Sequence, residues 1–228
     1  MNMSINNTIE NLSENLFDLS STVARDLFLK FEYPWEVLSS IRDFVLELGP
    51  ILPRNEYMEI KPNIWVSKDS EIFESVYIEP PVIIQKNTQV RHNAYIRGSV
   101  IIGENCVVGN STEIKNSILF NNSQAPHFNY IGDSVLGYKS HLGAGVIISN
   151  LKSDKSNITV NYNNTKINTN LRKFGALVGD HVEIGCNSVL NPGTIISQNT
   201  TVYPLVSVRG FVEPNMIVKQ NNIIINKI

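Results

Sequence analysis

At 228 residues, with 42% hydrophobic and 18% charged content, the chain is long enough for one core, or for a small cap and a larger domain, and it is neither disordered nor fibrous in composition. The net charge is −2 and the basic residues are scattered, so we expect a small-molecule ligand and no nucleic-acid partner. Two distant cysteines, Cys106 and Cys186, no signal-peptide pattern and no apolar run of about 20 residues predict a cytoplasmic protein with free thiols and no membrane segment.

Residues 1–60 are predicted to form a helical N-terminal region. Pro34 suits the first turn of a helix whose apolar residues recur at helical spacing until Gly49 and Pro50 end it. An earlier helix is predicted over residues 22–31, and its possible caps are Asp18, Ser20 and Ser21. These helices are short, so we expect them to pack against something larger.

Residues 61–218 carry a repeat of six residues. An apolar residue occupies every sixth position ten times in succession: Val66, Ile72, Ile78, Ile84, Val90, Ile96, Ile102, Val108, Ile114 and Phe120. Given the apolar content of the chain, ten such hits in one frame have a chance of roughly two in ten thousand. The frame returns twice, first as Tyr130, Leu136, Leu142 and Ile148, and then as Val178, Ile184, Leu190, Ile196, Val202 and Val208. Loops near 121–129 and 151–175 are predicted to interrupt it, and residues 219–228 form a tail.

A period of six residues fits one short strand and one turn. Three such units close a triangular coil whose inward side chains stack on those of the next coil, and each buried Ile or Val stabilises the stack by about 1.5–3 kcal/mol. About twenty hexads predict six to seven coils of an all-β solenoid. Glycines near the corners are expected to adopt backbone angles that other residues avoid: Gly103, Gly109, Gly132, Gly137, Gly179 and Gly185.

The six-residue period with stacked aliphatic residues resembles the hexapeptide-repeat acyltransferase family. The resemblance implies a left-handed parallel β-helix. It also implies a homotrimer, because members of the family are trimers with active sites between neighbouring β-helices.

Residues 123–133, Ser-Gln-Ala-Pro-His-Phe-Asn-Tyr-Ile-Gly-Asp, are the most specific stretch of the sequence. They resemble the His-x-x-Tyr-x-Gly-Asp signature of the acetyltransferase domain of bifunctional glucosamine-1-phosphate N-acetyltransferase/UDP-N-acetylglucosamine pyrophosphorylases. The likeness extends over residues 91–218 and includes His141-Leu-Gly-Ala-Gly-Val, where the family has Asn-Ile-Gly-Ala-Gly-Thr. The first 60 residues contain no glycine-rich nucleotide loop, so we expect no pyrophosphorylase domain here.

Acetyl transfer to an amine needs a base, because an ammonium group must lose a proton before its nitrogen attacks a thioester. His127 is the candidate, and Pro126 beside it favours an exposed, positioned ring. Asn150 offers both a donor and an acceptor to the amine or the thioester, and it matches the asparagine of the family. The alternative for His127 is a loop histidine without a role.

A phosphorylated sugar calls for fixed positive charge, which Arg97 and Lys115 would supply. The resemblance implies that both bind the sugar phosphate. The alternative interpretation of each is a solvated corner residue without a role in binding. Tyr130 has two interpretations, a core aromatic in the stacking frame or a hydroxyl on the sugar phosphate. Lys152 or Lys155 is a further candidate for the same phosphate.

The resemblance also implies acetyl-CoA as co-substrate, with its pantetheine arm lying along the β-helix, and no metal in acetyl transfer. Ala144 fits this role, Cys186 replaces a serine of the family, and Pro204 replaces an alanine. Arg209 is a candidate for a CoA phosphate, or else an exposed turn residue.

The sequence therefore predicts an acetyltransferase that acts on the amine of a glucosamine 1-phosphate-like sugar, in UDP-N-acetylglucosamine or cell-envelope sugar synthesis. Leu151 and His141 depart from the family pattern, so a nucleotide-linked amino sugar remains an alternative acceptor, and the acyl chain length is open. A catalytically silent sugar-nucleotide scaffold is another alternative. A zinc enzyme of the carbonic-anhydrase type is disfavoured, because the four histidines (His92, His127, His141 and His181) lack the short spacing of such sites.

Overall fold

The computed structural model describes residues 12–162 and 165–227. Short parallel strands stack into a solenoid with three faces, which we number in the order the chain visits them. Face 1 contains Ile64–Ser67, Val82–Ile84, Val100–Ile102, the ends of Glu113–Leu119 and Tyr130–Leu136, Ala176–Val178, Thr194–Ile196 and Phe211–Val212. Face 2 contains Glu71–Ile72, Gln89–Val90, Val107–Asn110, Gln124–His127, His141–Leu142, Glu183–Ile184, Thr201–Val202 and Met216–Lys219. Face 3 contains Tyr77–Ile78, Tyr95–Ile96, the beginnings of Glu113–Leu119 and Tyr130–Leu136, Ile147–Ile148, Val189–Leu190 and Ser207–Val208.

The described residues make seven complete turns and part of an eighth, and the predicted all-β solenoid is confirmed. Antiparallel strands lie at both ends: Tyr57–Lys61 pairs with the first strand of face 1, and Ile223–Asn226, which follows a 3₁₀ turn at Gln220–Asn222, pairs with the last strand of face 2. A hairpin of Thr159–Tyr162 and Thr165–Asn168 stands outside the three faces.

One aliphatic stack fills the solenoid, and most of the predicted frame lies in it. The structure contradicts the frame at two positions. Leu119, not Phe120, points inward opposite Ile102, and Ile131, not Tyr130, points inward opposite Ile114. The reason is that the two longest strands run from face 3 into face 1, which leaves five residues instead of six between their inward positions.

The loop predicted near 121–129 is wrong, because Gln124–His127 is a strand of face 2. Ala125 takes the inward position there, and a small residue displaced by one place does not stand out in an apolar frame. The second interruption leaves the solenoid after Asn150, whose carbonyl accepts from the amide of Phe174 at 3.0 Å as the chain returns. We call residues 151–173 the insert.

The corners are made by asparagine more than by glycine. Asn93 and Asn187, with φ of 59° and 56°, are two of many non-glycine residues in the left-handed region. None of the six glycines predicted for this role has positive φ. They are small for another reason: a Cβ on Gly109 would lie 1.5 Å from the carbonyl oxygen of Pro126 in the next coil.

The N-terminal region forms a cap on the outer side of face 1. It contains the helices Leu12–Leu16, Arg25–Phe28 and Ile41–Leu48 and the 3₁₀ turns Leu19–Ser21, Pro34–Ser39 and Gly49–Ile51. Its apolar side chains pack on the outward residues of face 1, so strands such as Val82–Ile84 are buried on both sides. Phe120 belongs to this layer, with its ring 5.1 Å from that of Phe17.

The cap differs from the prediction in detail. The helix predicted from Pro34 is a 3₁₀ turn followed by an α-helix, because Ser40 has φ −118° and ψ 0° between them. The helix predicted over 22–31 shrinks to one turn, and Asp18 caps the preceding 3₁₀ turn by accepting from the amide of Ser20 at 3.0 Å. In the parts of the chain described here, no helix has the length and apolar character needed to span a membrane.

Candidate active site

His127 is the last residue of its strand, at the corner between faces 2 and 3. Its side chain is exposed, and its ring has no hydrogen-bond partner among the described residues. The backbone around it is held firmly: Phe128 has φ 51°, and the buried Asn129 accepts from the amide of His127 at 3.2 Å while donating to the carbonyl of Gly143 at 2.8 Å. The corner therefore presents a free imidazole on a fixed main chain.

The predicted cofactor residues Ala144, Cys186 and Pro204 form one column with His127. Their positions follow from the hydrogen bonds between coils, since the amide that follows each corner residue donates to the corner residue of the coil before. His127 accepts from Gly145 at 3.1 Å, and Ala144 accepts from Asn187 at 2.8 Å. With strands about 4.8 Å apart, the column of small side chains extends roughly 14 Å from His127 toward the C-terminal end of the solenoid.

Asp133 is the centre of a second group, at the corner between faces 3 and 1. It is 5% exposed and accepts from the side-chain amides of Asn150 and Asn116, the latter at 2.9 Å. Asn150 also donates to the hydroxyl of Tyr130 at 3.4 Å. Burial, with the charges of Glu113 and Asp133, raises the pKa of Tyr130 above its ordinary value, so the phenol stays protonated and able to donate at neutral pH.

The two cations predicted for the sugar phosphate are both ion-paired. Lys115 lies 3.6 Å from Asp133 and Arg97 lies 2.7 Å from Glu113, on neighbouring turns of the same corner. The hydrogen bond to Glu113 raises the pKa of Arg97 above its ordinary value. These cations are held in place by carboxylates, and they add no net charge to the corner.

Face 3 separates the two corners, and Tyr130 lies between them. The three residue steps from His127 to Tyr130 span at most about 10 Å. Face 3 therefore carries the exposed imidazole at one corner and the Asp133 group at the other, with Tyr130 between them. The structure brings together five of the predicted residues around this face: His127, Asn150, Tyr130, Lys115 and Arg97.

Lys152 and Arg209 lie elsewhere. Lys152 bonds to Ser156 at 2.6 Å, and together with Arg209 it lines a groove of about 320 Å³ nearer the C-terminal end. Arg209 donates to Asn191 at 3.2 Å and occupies the same column as Lys115, four strands further on, or roughly 19 Å away. The sequence predicted Lys152 beside the sugar-phosphate candidates Lys115 and Tyr130, whereas the structure places it in this separate groove.

Sequence reasoning assigned no role to Asp133 or Asn116, although both take part in the site. Asp133 is the last residue of the signature, and its spacing of 17 residues from both Asn116 and Asn150 was the available signal, because regular winding stacks residues at that distance. Asn116 also donates to the carbonyl of Leu38 at 3.1 Å, and this contact joins the cap to the site. Such a contact between residues 78 positions apart has no local signal.

The remaining histidines make other contacts. His141 lies on face 2 with its Nδ1 2.9 Å from Glu183, and His181 packs edge-on against Tyr138. Within the described part of a single chain, no three His, Cys, Asp or Glu side chains cluster closely enough to hold a metal ion.

The family model described as the GMPPB C-terminal domain matches residues 78–171. A bifunctional sugar-1-phosphate nucleotidylyltransferase/acetyltransferase of Sulfurisphaera tokodaii is 37% identical over 86 residues, which cover 38% of this chain and 21% of that protein. The bifunctional protein GlmU of Methanococcus vannielii is 34% identical over 110 residues, covering 48% of this chain and 26% of that protein.

The chain therefore spans about a quarter or less of the length of these curated relatives. Among solved structures, a point mutant of AntD, an N-acyltransferase from Bacillus cereus in complex with dTDP and coenzyme A, is 14% identical with a TM-score of 0.42, covering 76% of this chain and 91% of that one. The resemblance to hexapeptide-repeat acyltransferases predicted from the sequence is confirmed by the repeat, the solenoid and the similarity to the curated relatives.

Proposed function

We propose that the protein is an acetyltransferase that moves acetyl from acetyl-CoA to the amine of a phosphorylated amino sugar. The observation that carries the proposal is the arrangement on face 3, where an unpaired imidazole and a polar, cation-containing corner flank Tyr130. The two curated relatives described above support it, because their names include acetyltransferase or GlmU and they match this chain over 86 and 110 residues.

The chemistry assigns a step to each part of the site. The amine nitrogen bonds to the thioester carbonyl carbon and His127 accepts the proton that the amine releases. The C–S bond then breaks, and coenzyme A leaves as the thiolate, which takes up a proton to become the free thiol. Asn150 is held by Asp133 and by Tyr130, so its amide is positioned beside the same sugar. Lys115 and Arg97 are positioned at the far end, where the phosphate of the acceptor would lie.

The residues of the corner column fit the pantetheine arm. Ala144 is half-buried, whereas Cys186 and Pro204 are exposed, and none of the three side chains extends far from the backbone. A thin, flexible arm can therefore approach the main chain along the column and deliver the thioester next to His127. Further along, Arg209 lines a groove together with Lys152, which is paired with Asp154 at 3.8 Å, so Arg209 supplies the free positive charge there for a phosphate of CoA and Lys152 supplies a donor.

We further propose a homotrimer in the cytoplasm. Large apolar side chains are exposed on face 3 and at its corner with face 2, among them Tyr77 at 60%, Phe128 at 57% and Leu205 at 65%. Apolar side chains in this position support an interface with a neighbouring copy, which would close the site. Cys106 and Cys186 are unpaired, as a reducing compartment would leave them, and burial raises the pKa of Cys106 to about 12.

The test is a thiol-release assay with acetyl-CoA and a panel of acceptors that includes glucosamine 1-phosphate and UDP-linked amino sugars. His127→Ala is expected to lower kcat about 100-fold or more while leaving the affinity for acetyl-CoA unchanged. His92→Ala is the matched control, because His92 is an exposed histidine of the same column, two turns before His127, and it should leave kcat unchanged.

Turnover that survives in His127→Ala would remove the base from the proposal. If wild type acetylates no acceptor and fails to bind acetyl-CoA, the acetyltransferase proposal fails, and a sugar-nucleotide scaffold becomes the better description.

A further inference from the structure

A second recess opens where the cap, the corner of faces 3 and 1 and the insert meet. This cap–insert groove has a volume of about 620 Å³, within the range of roughly 300–1,000 Å³ typical of small-molecule sites. Its lining includes Leu38 of the cap, Asn116 and Asp133 of the corner, and Lys155, Arg172 and Lys173 of the insert. All three cations are exposed.

The charges in the groove are not balanced. Lys155, Arg172 and Lys173 have no ion pair or side-chain hydrogen bond to any described residue. Asp133, the carboxylate that lines the same groove, is already shared by Lys115, Asn116 and Asn150. By contrast, Arg97 and Lys115 on face 3 are each paired with a carboxylate. Three cations without a partner among the described residues therefore lie in the groove, which reaches the site at Asp133.

The groove is continuous with the site through Asp133, which lines it and bonds directly to Asn150. The groove is also not uniformly polar, because Leu38, Leu151 and Leu171 contribute apolar surface. A ligand that leaves face 3 past Asp133 would meet donors and cations first and apolar side chains around them. This combination suits a diphosphate followed by a nucleoside, whose base has an apolar face.

We propose that the acceptor is a nucleoside diphosphate-linked amino sugar whose diphosphate lies in the cap–insert groove, against Lys155, Arg172 and Lys173. This inference rests on the proposed function, since it names the substrate class of the same site. A sugar monophosphate would occupy face 3 alone and leave the groove and its three cations unused.

The experiment measures binding to the full chain by isothermal titration calorimetry. The probes are UDP, dTDP, GDP and CDP, each alone, with coenzyme A and glucosamine 1-phosphate for comparison. At least one nucleoside diphosphate is expected to bind wild type. Its affinity should fall at least about 10-fold in Arg172→Gln/Lys173→Gln, which removes two charges while keeping much of each side chain, and should fall further as salt is raised.

Lys166→Gln is the matched control, because Lys166 is an exposed lysine of the same insert that does not line the groove. It should bind the nucleotide as wild type does, and the double variant should bind coenzyme A as wild type does. Equal losses of nucleotide and coenzyme A in the double variant would mean that the groove holds the CoA phosphates, and the inference would be wrong. It would also be wrong if none of the four nucleoside diphosphates binds, or if the double variant binds them normally.

The thiol-release assay separates this inference from the proposed function. Acetylation of glucosamine 1-phosphate, with no preference for a nucleotide-linked sugar and no effect of the double variant, would support the acetyltransferase proposal and overturn the proposal of a diphosphate site in the groove. Nucleotide binding that depends on Arg172 and Lys173, without turnover on any acceptor, would retain the groove as a nucleotide site and overturn the acetyltransferase.

Discussion

Replacing Asp180 with alanine is expected to loosen the cap from the solenoid. The side chain is 3% exposed, and its two oxygens accept from the amides of Asp18 in the cap and Tyr138 in the solenoid, each at 2.6 Å. Alanine leaves both amides without an acceptor, and a buried donor without a partner costs roughly 1–3 kcal/mol. Since Asp18 is itself exposed and water can reach it, we expect a total loss of about 2–3 kcal/mol in the free energy of unfolding.

The loss should depend on pH in a defined direction. Burial raises the pKa of Asp180 above its ordinary value of 3.8, against the opposing effect of the two amide bonds. Because the folded pKa is the higher one, the fold holds this proton more tightly than the unfolded chain does. That contribution to stability is complete below the unfolded pKa and is lost as pH rises through the folded pKa. The difference between wild type and Asp180→Ala should therefore be larger in acid than at neutral pH.

Urea unfolding, followed by the fluorescence of Trp35 in the cap and Trp65 on face 1, measures both effects. Asp154→Ala is the control, because Asp154 is an exposed aspartate that bonds only locally to Ser156 and Lys152, and its midpoint should match that of wild type. An Asp180→Ala midpoint equal to that of wild type, or a difference that grows with pH, would refute the reasoning.

Three further predictions concern the site, the coils and the assembly. Asp133→Asn leaves Lys115 without its carboxylate partner at 3.6 Å, so kcat in the thiol-release assay should fall on the order of 10- to 100-fold. Calorimetry should find coenzyme A binding unchanged, and a fall in coenzyme A affinity would contradict this role. Gly109→Ala places a Cβ against the next coil and should lower the free energy of unfolding by at least about 3 kcal/mol. Gly210 has φ 83° and open space around it, so Gly210→Ala should lower that free energy by only about 1–2 kcal/mol, and similar losses for the two variants in urea unfolding would count against the steric argument. The double variant Phe128→Asn/Leu205→Asn removes two exposed apolar side chains and introduces asparagine, which tolerates the positive φ of both positions. Sedimentation velocity should find a trimer for the wild-type protein and a smaller species for the variant, and an unchanged trimer would exclude this interface.

The six-residue period was sufficient to predict the solenoid, because each inward Ile or Val has the same local surroundings in every coil. The prediction failed where the spacing shortened to five residues, at Leu119 and Ile131, since a frame anchored on residue type continued to Phe120 and Tyr130. Phe120 is as apolar as a core residue because it is one, but its core is the layer between the cap and face 1.

For the candidate site, too, part of the arrangement could be predicted from the sequence and part depends on tertiary contacts. His127, Tyr130 and Asn150 were predicted as site residues from a short segment, and regular winding brings such residues to neighbouring coils because strands stack in register. Asp133 meets Asn116 and Asn150 for the same reason, because each of them lies 17 residues from it, one coil away. That Arg172 and Lys173 line a groove with Leu38 of the cap depends instead on where the insert and the cap fold back. By itself the sequence determined the coil and the position of its chemistry along the chain, because those depend on local periodicity. Only the tertiary structure decided which free positive charges lie beside the site, because Arg172 and Lys173 reach the groove through contacts among the insert, the cap and the coils, which are far apart in the chain.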